Sequence, residues 1–429
     1  MRVKLKALGC RLNEAELENW ARGFQSVGHR IVGSSDEADL IVLNTCAVTQ
    51  EAVRKSRRLI RNLYRVNPSA KVVVSGCYAS LNPDETADFL GVDLVVSNAD
   101  KDQLVKLTQR ALFSDLEQPI ASEPGVSLFE LGRQRAFVKV QDGCRYRCSF
   151  CIVTIARGNE RSRCLESIVD EINMLHHQGI QEVILTGVHL GGYGDDLGIN
   201  LSALIEAVLN RTKIPRIRLG SLEPWDLPIG FFQLFQNIRL MPHLHLPLQS
   251  GSDSVLRRMN RRCKTEEFSE IVSEARRQIS GINVTTDIIV GFPGETEQDW
   301  TQSVNYIRRI GFGHIHIFSY SRREGTKAAD LPDQVTVTVK KARSRELHAI
   351  AREMKQVMLR EKIGSNVPVL FESEVKGDGD LPQFFGYTPD YLRVTVGGRD
   401  MPSLENQIVK TSLEGVTDGT DYLVGSVLA

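Results

Sequence analysis

The sequence predicts an α/β protein in three parts: a doubly wound parallel α/β domain, a partial (β/α)6 barrel and a small all-β barrel. Strand-like apolar runs alternate with helix-length stretches from residue 3 to residue 96, and the same alternation restarts at residue 136. Beyond residue 365 the composition shifts to Val, Leu, Thr and Gly with turn signals, and helical stretches end. A chain of 429 residues holds about two to four domains. The expected boundaries are 1–115, 133–363 and 365–429.

In the first part, apolar runs at 3–8, 39–43, 71–75 and 92–96 predict strands. Stretches at 14–27 and 51–64 are long enough to cross over a parallel sheet. Residues 114–134, with two prolines and no clear period, read as a linker. In the second part strands are expected at 136–140, 182–185, 216–219, 243–246, 283–290 and 314–318. Helices are expected at 166–177, 201–209, 265–279 and 299–310, with a charged one at 339–361. Six such units are fewer than the eight that close a barrel, so an open one follows. Turns at Gly377-Asp378-Gly379 and Gly397-Gly398 punctuate the β-rich tail.

Composition narrows the function. Lys and Arg number 53 and so do Asp and Glu, which excludes a simple polybasic nucleic-acid binder. An apolar run of roughly 18 residues, enough to span a bilayer, is absent. The opening MRVKLKALGC lacks the apolar core of a secretory signal. A soluble cytoplasmic protein is expected. In that setting its 8 cysteines suit metal or redox work better than disulfides.

Cys10, Cys46 and Cys77 each follow directly on an expected strand, in KLKALGC, LIVLNTC and VVVSGC. In a doubly wound sheet the carboxyl ends of parallel strands share one edge, where ligands bind. Three thiols far apart in sequence should therefore converge. Three core cysteines are the plain alternative. A closed zinc site wants four ligands, whereas three thiolates fit an iron–sulfur cluster with one open iron.

Cys144, Cys148 and Cys151 stand in DGCRYRCSFC, just after the first strand of the second part. This C-x3-C-x2-C spacing lets one loop supply three of four iron ligands. A zinc knuckle would need a fourth ligand, and the nearest Cys or His outside the loop in sequence is Cys164.

C-x3-C-x2-C at the mouth of a partial (β/α)6 barrel resembles the radical S-adenosylmethionine enzymes. The whole chain resembles a methylthiotransferase of that superfamily, in GCRLNEAE at 9–16, NTCAVTQEAVRKSRR at 44–58, LTGVHLGGYG at 185–194, LHLPLQSGSDSVLRRM at 244–259 and DIIVGFPGET at 287–296. Leu-Gly-Cys-Arg at 8–11, Ala-Val-Thr after Cys46 and GYTPDYLRV at 386–394 most resemble the subfamily acting on N6-threonylcarbamoyladenosine at position 37 of tRNA. The dimethylallyladenosine and ribosomal protein S12 subfamilies typically show GCQMN and GCPKN instead.

The resemblance implies two [4Fe–4S] clusters, a radical-generating one on Cys144, Cys148 and Cys151 and an auxiliary one on Cys10, Cys46 and Cys77. S-adenosylmethionine would serve both as methyl donor and as source of a 5′-deoxyadenosyl radical. A radical suits the chemistry, because C2 of adenine is an unactivated aromatic C–H carbon. No further catalytic side chain is implied. Phe150 would pack by the adenine of the cofactor. Gly187, in a glycine-rich turn, and Ser221, Glu223 and Gln249, at strand ends, would contact the rest of it; an ordinary βα turn is the alternative for Gly187. A tail resembling a TRAM barrel, an electron donor such as flavodoxin or ferredoxin, a tRNA anticodon loop as partner, a monomer and no membrane association complete the implied picture.

For RNA contact, Arg157, Arg161 and Arg163 lie just past the second triad, and Tyr391 and Arg393, with Tyr387, could form a patch on the tail. Basic runs RKSRRLIR at 54–61 and RRMNRRCK at 257–264 are either phosphate contacts or solvated helix faces. Two departures from the family stand out. Thr154 and Ile155 replace a frequent proline and aromatic, and residues 365–429 carry 4 Lys and Arg against 10 Asp and Glu, a net of −6, which opposes phosphate binding. A zinc-stabilised RNA-binding protein and an electron-transfer ferredoxin are the competing classes.

Overall fold

The computed structural model describes residues 1–113, 134–376, 382–398, 401–417 and 419–428. The expected linker, apart from Gln134, and the Gly377-Asp378-Gly379 turn lie outside these described residues. The first sheet is built of β1 (Arg2–Ala7), β2 (Arg30–Ile31), β3 (Leu40–Thr45), β4 (Lys71–Gly76) and β5 (Leu94–Val95). All run parallel in the order β2-β1-β3-β4-β5. Their near-continuous apolar runs follow from burial on both faces. Ile41, Leu43, Val72 and Val74 pack toward Ile60 and Leu63 of α2 (Gln50–Val66). Leu40, Val42 and Val73 pack toward Trp20 and Phe24 of α1 (Arg11–Ser26).

The second part begins with β6 (Arg135–Lys139). A short antiparallel pair, β7 (Gln141–Asp142) and β8 (Arg161–Ser162), then brackets the cysteine loop, a feature the periodicity does not announce. Five further strands follow: β9 (Glu182–Thr186), β10 (Arg216–Leu219), β11 (His243–His245), β12 (Asn283–Val290) and β13 (His314–Ser319). They form two parallel three-stranded sheets, β6-β9-β10 and β11-β12-β13. Parallel bridges Ile217–Leu240 and Ser221–His245 join them into one open arc of six strands. A single apolar core lies between this arc and its outer helices, including Ile172, Leu204, Phe268 and Ile307.

The tail folds as a closed five-stranded barrel of β14 (Asn366–Lys376), β15 (Pro382–Tyr387), β16 (Arg393–Gly397), β17 (Ile408–Val416) and β18 (Leu423–Val427). Its core takes in Leu359 from the long helix Val337–Glu361. The fold expected from sequence is thus observed: parallel α/β, an open arc of six strands, and an all-β tail. The tail docks under the arc by charge. Arg216 and Arg218 donate to the carbonyls of Tyr387 and Pro389 at 3.0 and 2.9 Å, and Arg135 pairs with Glu372 at 2.6 Å. Among the described residues no helix is long and apolar enough to cross a membrane.

Candidate active site

The ends of β1, β3 and β4 deliver the first three cysteines to one edge of the sheet. Cys10 caps α1, Cys46 follows β3, and Cys77 opens α3 (Cys77–Leu81). Gly9 shows how tightly they meet. It has φ +108°, and a Cβ built there would stand 2.7 Å from the Cys46 Sγ, so only glycine fits. The Cys46 backbone is pinned twice by Ser56, whose Oγ accepts from its amide at 3.2 Å and donates to its carbonyl at 3.0 Å. Burial pushes the Cys46 thiol up to about 11, and the neighbouring Cys10 and Cys77 act in the same direction.

The second triad winds on a loop between β7 and the short helix that follows it. Gly143, at φ +73°, starts the loop where a Cβ would strike the Asn159 carbonyl at 1.9 Å. Cys144 donates its amide to Gly158 O at 3.1 Å, and Cys151 to Cys148 O at 3.0 Å. Burial, reinforced by Cys148 and Cys151, pushes the Cys144 thiol up to about 12. Cys46 and Cys77 are buried, Cys144, Cys148 and Cys151 are partly buried and Cys10 is exposed; two such groups of thiols are what a cationic iron centre would deprotonate and bind. Arg261 turns inward from the second basic run with its side chain 2% exposed. It reaches Cys148 Sγ at 3.8 Å and Glu223 Oε2 at 2.7 Å. A charge run therefore hid a residue of the cysteine loop, and only its neighbour in space reveals it.

Cys164 is not the side chain that closes on this loop. His189 is: Cys144, Glu160 and His189 bring potential ligand atoms within 4.8 Å of one another. Both His189 nitrogens are occupied, however, Nδ1 by Glu160 at 2.5 Å and Nε2 by Asp226 at 2.7 Å. Burial works against a charge there, yet the two carboxylates hold the imidazole above its ordinary pKa. An imidazole so engaged is a poor fourth ligand for zinc.

Helix α3 meets the helix Val153–Arg157, which leaves the second triad. The Asn98 Nδ2 reaches both Cys77 Sγ at 3.8 Å and Ala156 O at 2.7 Å. Next to it lies a buried ion network spanning both parts. Arg157 donates to Glu16 at 2.8 Å, Asp142 at 3.0 Å and Asn13 at 2.8 Å. Lys101 pairs with Glu16 at 2.5 Å and Lys139 with Asp142 at 3.1 Å. Arg157, read from sequence as an RNA contact, is therefore corrected: its side chain is 1% exposed and is committed to interior carboxylates. Arg163 is likewise taken, donating to Lys139 O at 2.7 Å and Glu171 at 2.6 Å. Tyr391 faces inward as well, its hydroxyl accepting from Arg11 at 3.2 Å and Arg135 at 3.1 Å while its ring stacks on Tyr387. Arg161 and Arg393 are exposed; Arg393 lies 4.0 Å over the Phe385 ring.

The strand-end residues line the arc's upper rim. Gln249 is buried with φ +76°, and its backbone bonds Asp287 and Ile289 of β12. Such strain in a non-glycine residue gathers at functional sites. Phe150 packs against the small apolar cluster that includes Met259, Phe292 and Tyr320. Ser221 is exposed beside His245, and Gly187 lies against Gln141, whose Oε1 accepts the His189 amide at 2.8 Å.

The Radical SAM superfamily profile matches residues 138–307, and that of the uncharacterized protein family UPF0004 matches residues 2–97. Over nearly its whole length the chain is 33% identical to the threonylcarbamoyladenosine tRNA methylthiotransferase MtaB of Bacillus subtilis strain 168, covering 96% of this chain and 93% of that one. The chain belongs to the radical SAM methylthiotransferase family. This methylthiotransferase is also 35% identical to the MtaB protein of Thermotoga maritima, over 100% and 99% of the two chains. It is 33% identical to the tRNA-2-methylthio-N(6)-dimethylallyladenosine synthase of Moorella thermoacetica, over 88% of each. Among solved structures, the radical S-adenosylmethionine methyltransferase TsrM of Kitasatospora setae matches its fold, with TM-score 0.58 and 14% identity over 88% of this chain and 79% of that one. Family membership implies S-adenosylmethionine and a [4Fe–4S] cluster, and the donor set of the methylthiotransferase fits both.

Proposed function

We propose that the enzyme adds a methylthio group to C2 of N6-threonylcarbamoyladenosine at position 37 of tRNA. One observation carries the reading: the helix that leaves Cys144, Cys148 and Cys151 packs on the loops that bear Cys10, Cys46 and Cys77, through Asn98 and Arg157. The elements that bear the two thiol triads thus pack on each other, and full-length likeness to threonylcarbamoyladenosine enzymes supports the substrate.

When bound, S-adenosylmethionine and a [4Fe–4S] cluster on each triad supply electrons, the radical, the methyl group and sulfur. The protein holds and shields them. Arg261 compensates negative charge at Cys148, and Arg157 does so beside Cys10 and Cys77. Gly187, Ser221, Glu223, Gln249 and Phe150 orient the cofactor. Arg161 and Arg393, with the exposed Arg54, Arg58 and Arg61 of α2 and Arg257 and Arg262, take RNA phosphates. The enzyme is a cytoplasmic monomer of three domains, 1–115, 133–363 and 365–429, and accepts electrons from a flavodoxin or ferredoxin.

Anaerobic reconstitution tests this directly. About eight irons per chain are expected, together with 2-methylthio product on an anticodon stem-loop carrying threonylcarbamoyladenosine. A colourless zinc protein overturns the chemistry. Turnover of a dimethylallyladenosine stem-loop or of ribosomal protein S12 in place of that substrate overturns the specificity.

A further inference from the structure

Arg11 follows the first cysteine and leaves the sheet edge for the lumen of the strand arc. Its guanidinium lies 5.9 Å from the Phe137 ring of β6 and 5.5 Å from the Tyr391 ring, and donates to the Tyr391 hydroxyl at 3.2 Å. The other arginines around that ring each hold a carboxylate: Arg135 has Glu372 at 2.6 Å, and Arg218 has Glu182 at 2.9 Å. Arg11 is half-buried and has no carboxylate partner among the described residues. A guanidinium that is partly desolvated and unpaired is an anion site in waiting, because its fork matches a planar carboxylate.

The far wall of the lumen agrees. His245, Asp287 and His316 stand on the adjacent strands β11, β12 and β13, with potential ligand atoms within 4.8 Å of one another. The His245 Nε2 is 3.2 Å from Asp287 Oδ1, and the His245 and His316 rings are 5.4 Å apart. His316 is exposed to the lumen, and it senses Arg11: after burial and His245, the Arg11 charge helps lower its pKa. A neutral imidazole there donates a hydrogen bond without adding charge, so among the described residues around the Tyr391 ring the positive charge without a carboxylate partner is that of Arg11.

We propose that Arg11 is the specificity-determining residue that receives the carboxylate of the substrate's threonyl group, with the His316 imidazole on the opposite wall. This rests on the substrate reading above. A dimethylallyl group has no carboxylate, and in its presence Arg11 would stay unpaired; the same residue therefore selects for one modified base and against the other. The site also places the modified side chain beside Cys10, one of the three thiols that would hold the sulfur-supplying cluster.

The test is a cycle between residue and ligand. The reconstituted full-length enzyme and its Arg11→Gln variant are titrated with two anticodon stem-loops, one carrying N6-threonylcarbamoyladenosine and one its threonyl methyl ester. Dissociation constants come from fluorescence anisotropy, and kcat/KM from product mass spectrometry. Wild type is expected to prefer the acid by about 30-fold in both readouts, the worth of a charge-assisted hydrogen-bonded pair. Arg11→Gln is expected to show less than a threefold preference. A general loosening of the Tyr391 contact would weaken both ligands equally and leave the ratio at the wild-type value, which overturns the proposal. A wild-type enzyme indifferent to the ester overturns it too. A wild-type enzyme that modifies only dimethylallyladenosine overturns the substrate reading itself, and this inference with it.

Discussion

Glu16 is the most instructive residue to perturb, because three cations converge on it. Lys101 Nζ is 2.5 Å away, Arg157 Nη1 2.8 Å and Lys139 Nζ 3.6 Å, all on Oε1, while Asn44 donates to Oε2 at 2.9 Å. Burial alone would raise its pKa; Arg157, Lys101 and Lys139 outweigh burial and hold it at about 2, against an ordinary 4.5. That difference corresponds to about 3 kcal/mol of stability at neutral pH. Since the folded-state value is depressed, the stabilisation is complete above pH 4.5 or so and disappears as pH falls through about 2. Glu16→Gln keeps the shape but leaves Arg157, Lys101 and Lys139 with Asp142 as their one buried carboxylate and the exposed Asp102 beside Lys139, the costly half of breaking a buried pair. Urea unfolding of the metal-free protein, followed by Trp20 fluorescence in a Trp225→Phe, Trp300→Phe background, reads it. Trp20 is a close reporter, because its Nε1 donates to Lys101 O at 2.9 Å. The variant should be about 3 kcal/mol less stable at pH 7, with the gap closing toward pH 2. A gap under about 1 kcal/mol at pH 7, or one equally large at pH 2, would refute the network's role.

Other perturbations separate the two triads. Gly9→Ala puts a Cβ against Cys46 at a positive φ; iron should fall to about half of wild type while cofactor cleavage persists, as iron assay and 5′-deoxyadenosine release would record. Cys148→Ser should also halve the iron but abolish that cleavage. Arg261→Met leaves Glu223 without its 2.7 Å partner and should weaken S-adenosylmethionine binding about tenfold or more by isothermal titration. His189 has a raised pKa in the folded protein, so its stabilisation is present below about pH 6.5 and is lost as pH rises through the folded-state value. The melting-temperature deficit of His189→Asn should therefore shrink between pH 6 and pH 9.

The parallel α/β alternation and the placing of Cys10, Cys46 and Cys77 at one edge were legible because they follow from local period and from the rule that parallel strands share a carboxyl edge, whereas the two-residue strand Arg30–Ile31 was not. The C-x3-C-x2-C loop was legible because its ligands are neighbours in sequence. What stayed hidden was carried by contacts across the chain. Arg157 and Arg261 look like any basic surface residues in sequence; their burial depends on Glu16 and Glu223, 141 and 38 residues away. The pair β7 and β8 is two residues long on each side, too short for any period to register. The acidic tail holds a detail hidden for a similar reason: Glu372 meets Arg135 at 2.6 Å and Asp390 meets Lys362 at 2.7 Å, so some of its negative charge faces the protein and not solvent.

The Arg11–Tyr391 contact joins residues 380 positions apart. At translation speeds of about 5–20 residues per second, tens of seconds separate the synthesis of the first triad's loop from that of the phenol beneath it. For much of that interval Arg11 has the Phe137 ring beside it but not yet the Tyr391 hydroxyl. An iron–sulfur cluster built on Cys10, Cys46 and Cys77 during that interval would be in place before the Tyr391 hydroxyl reaches Arg11.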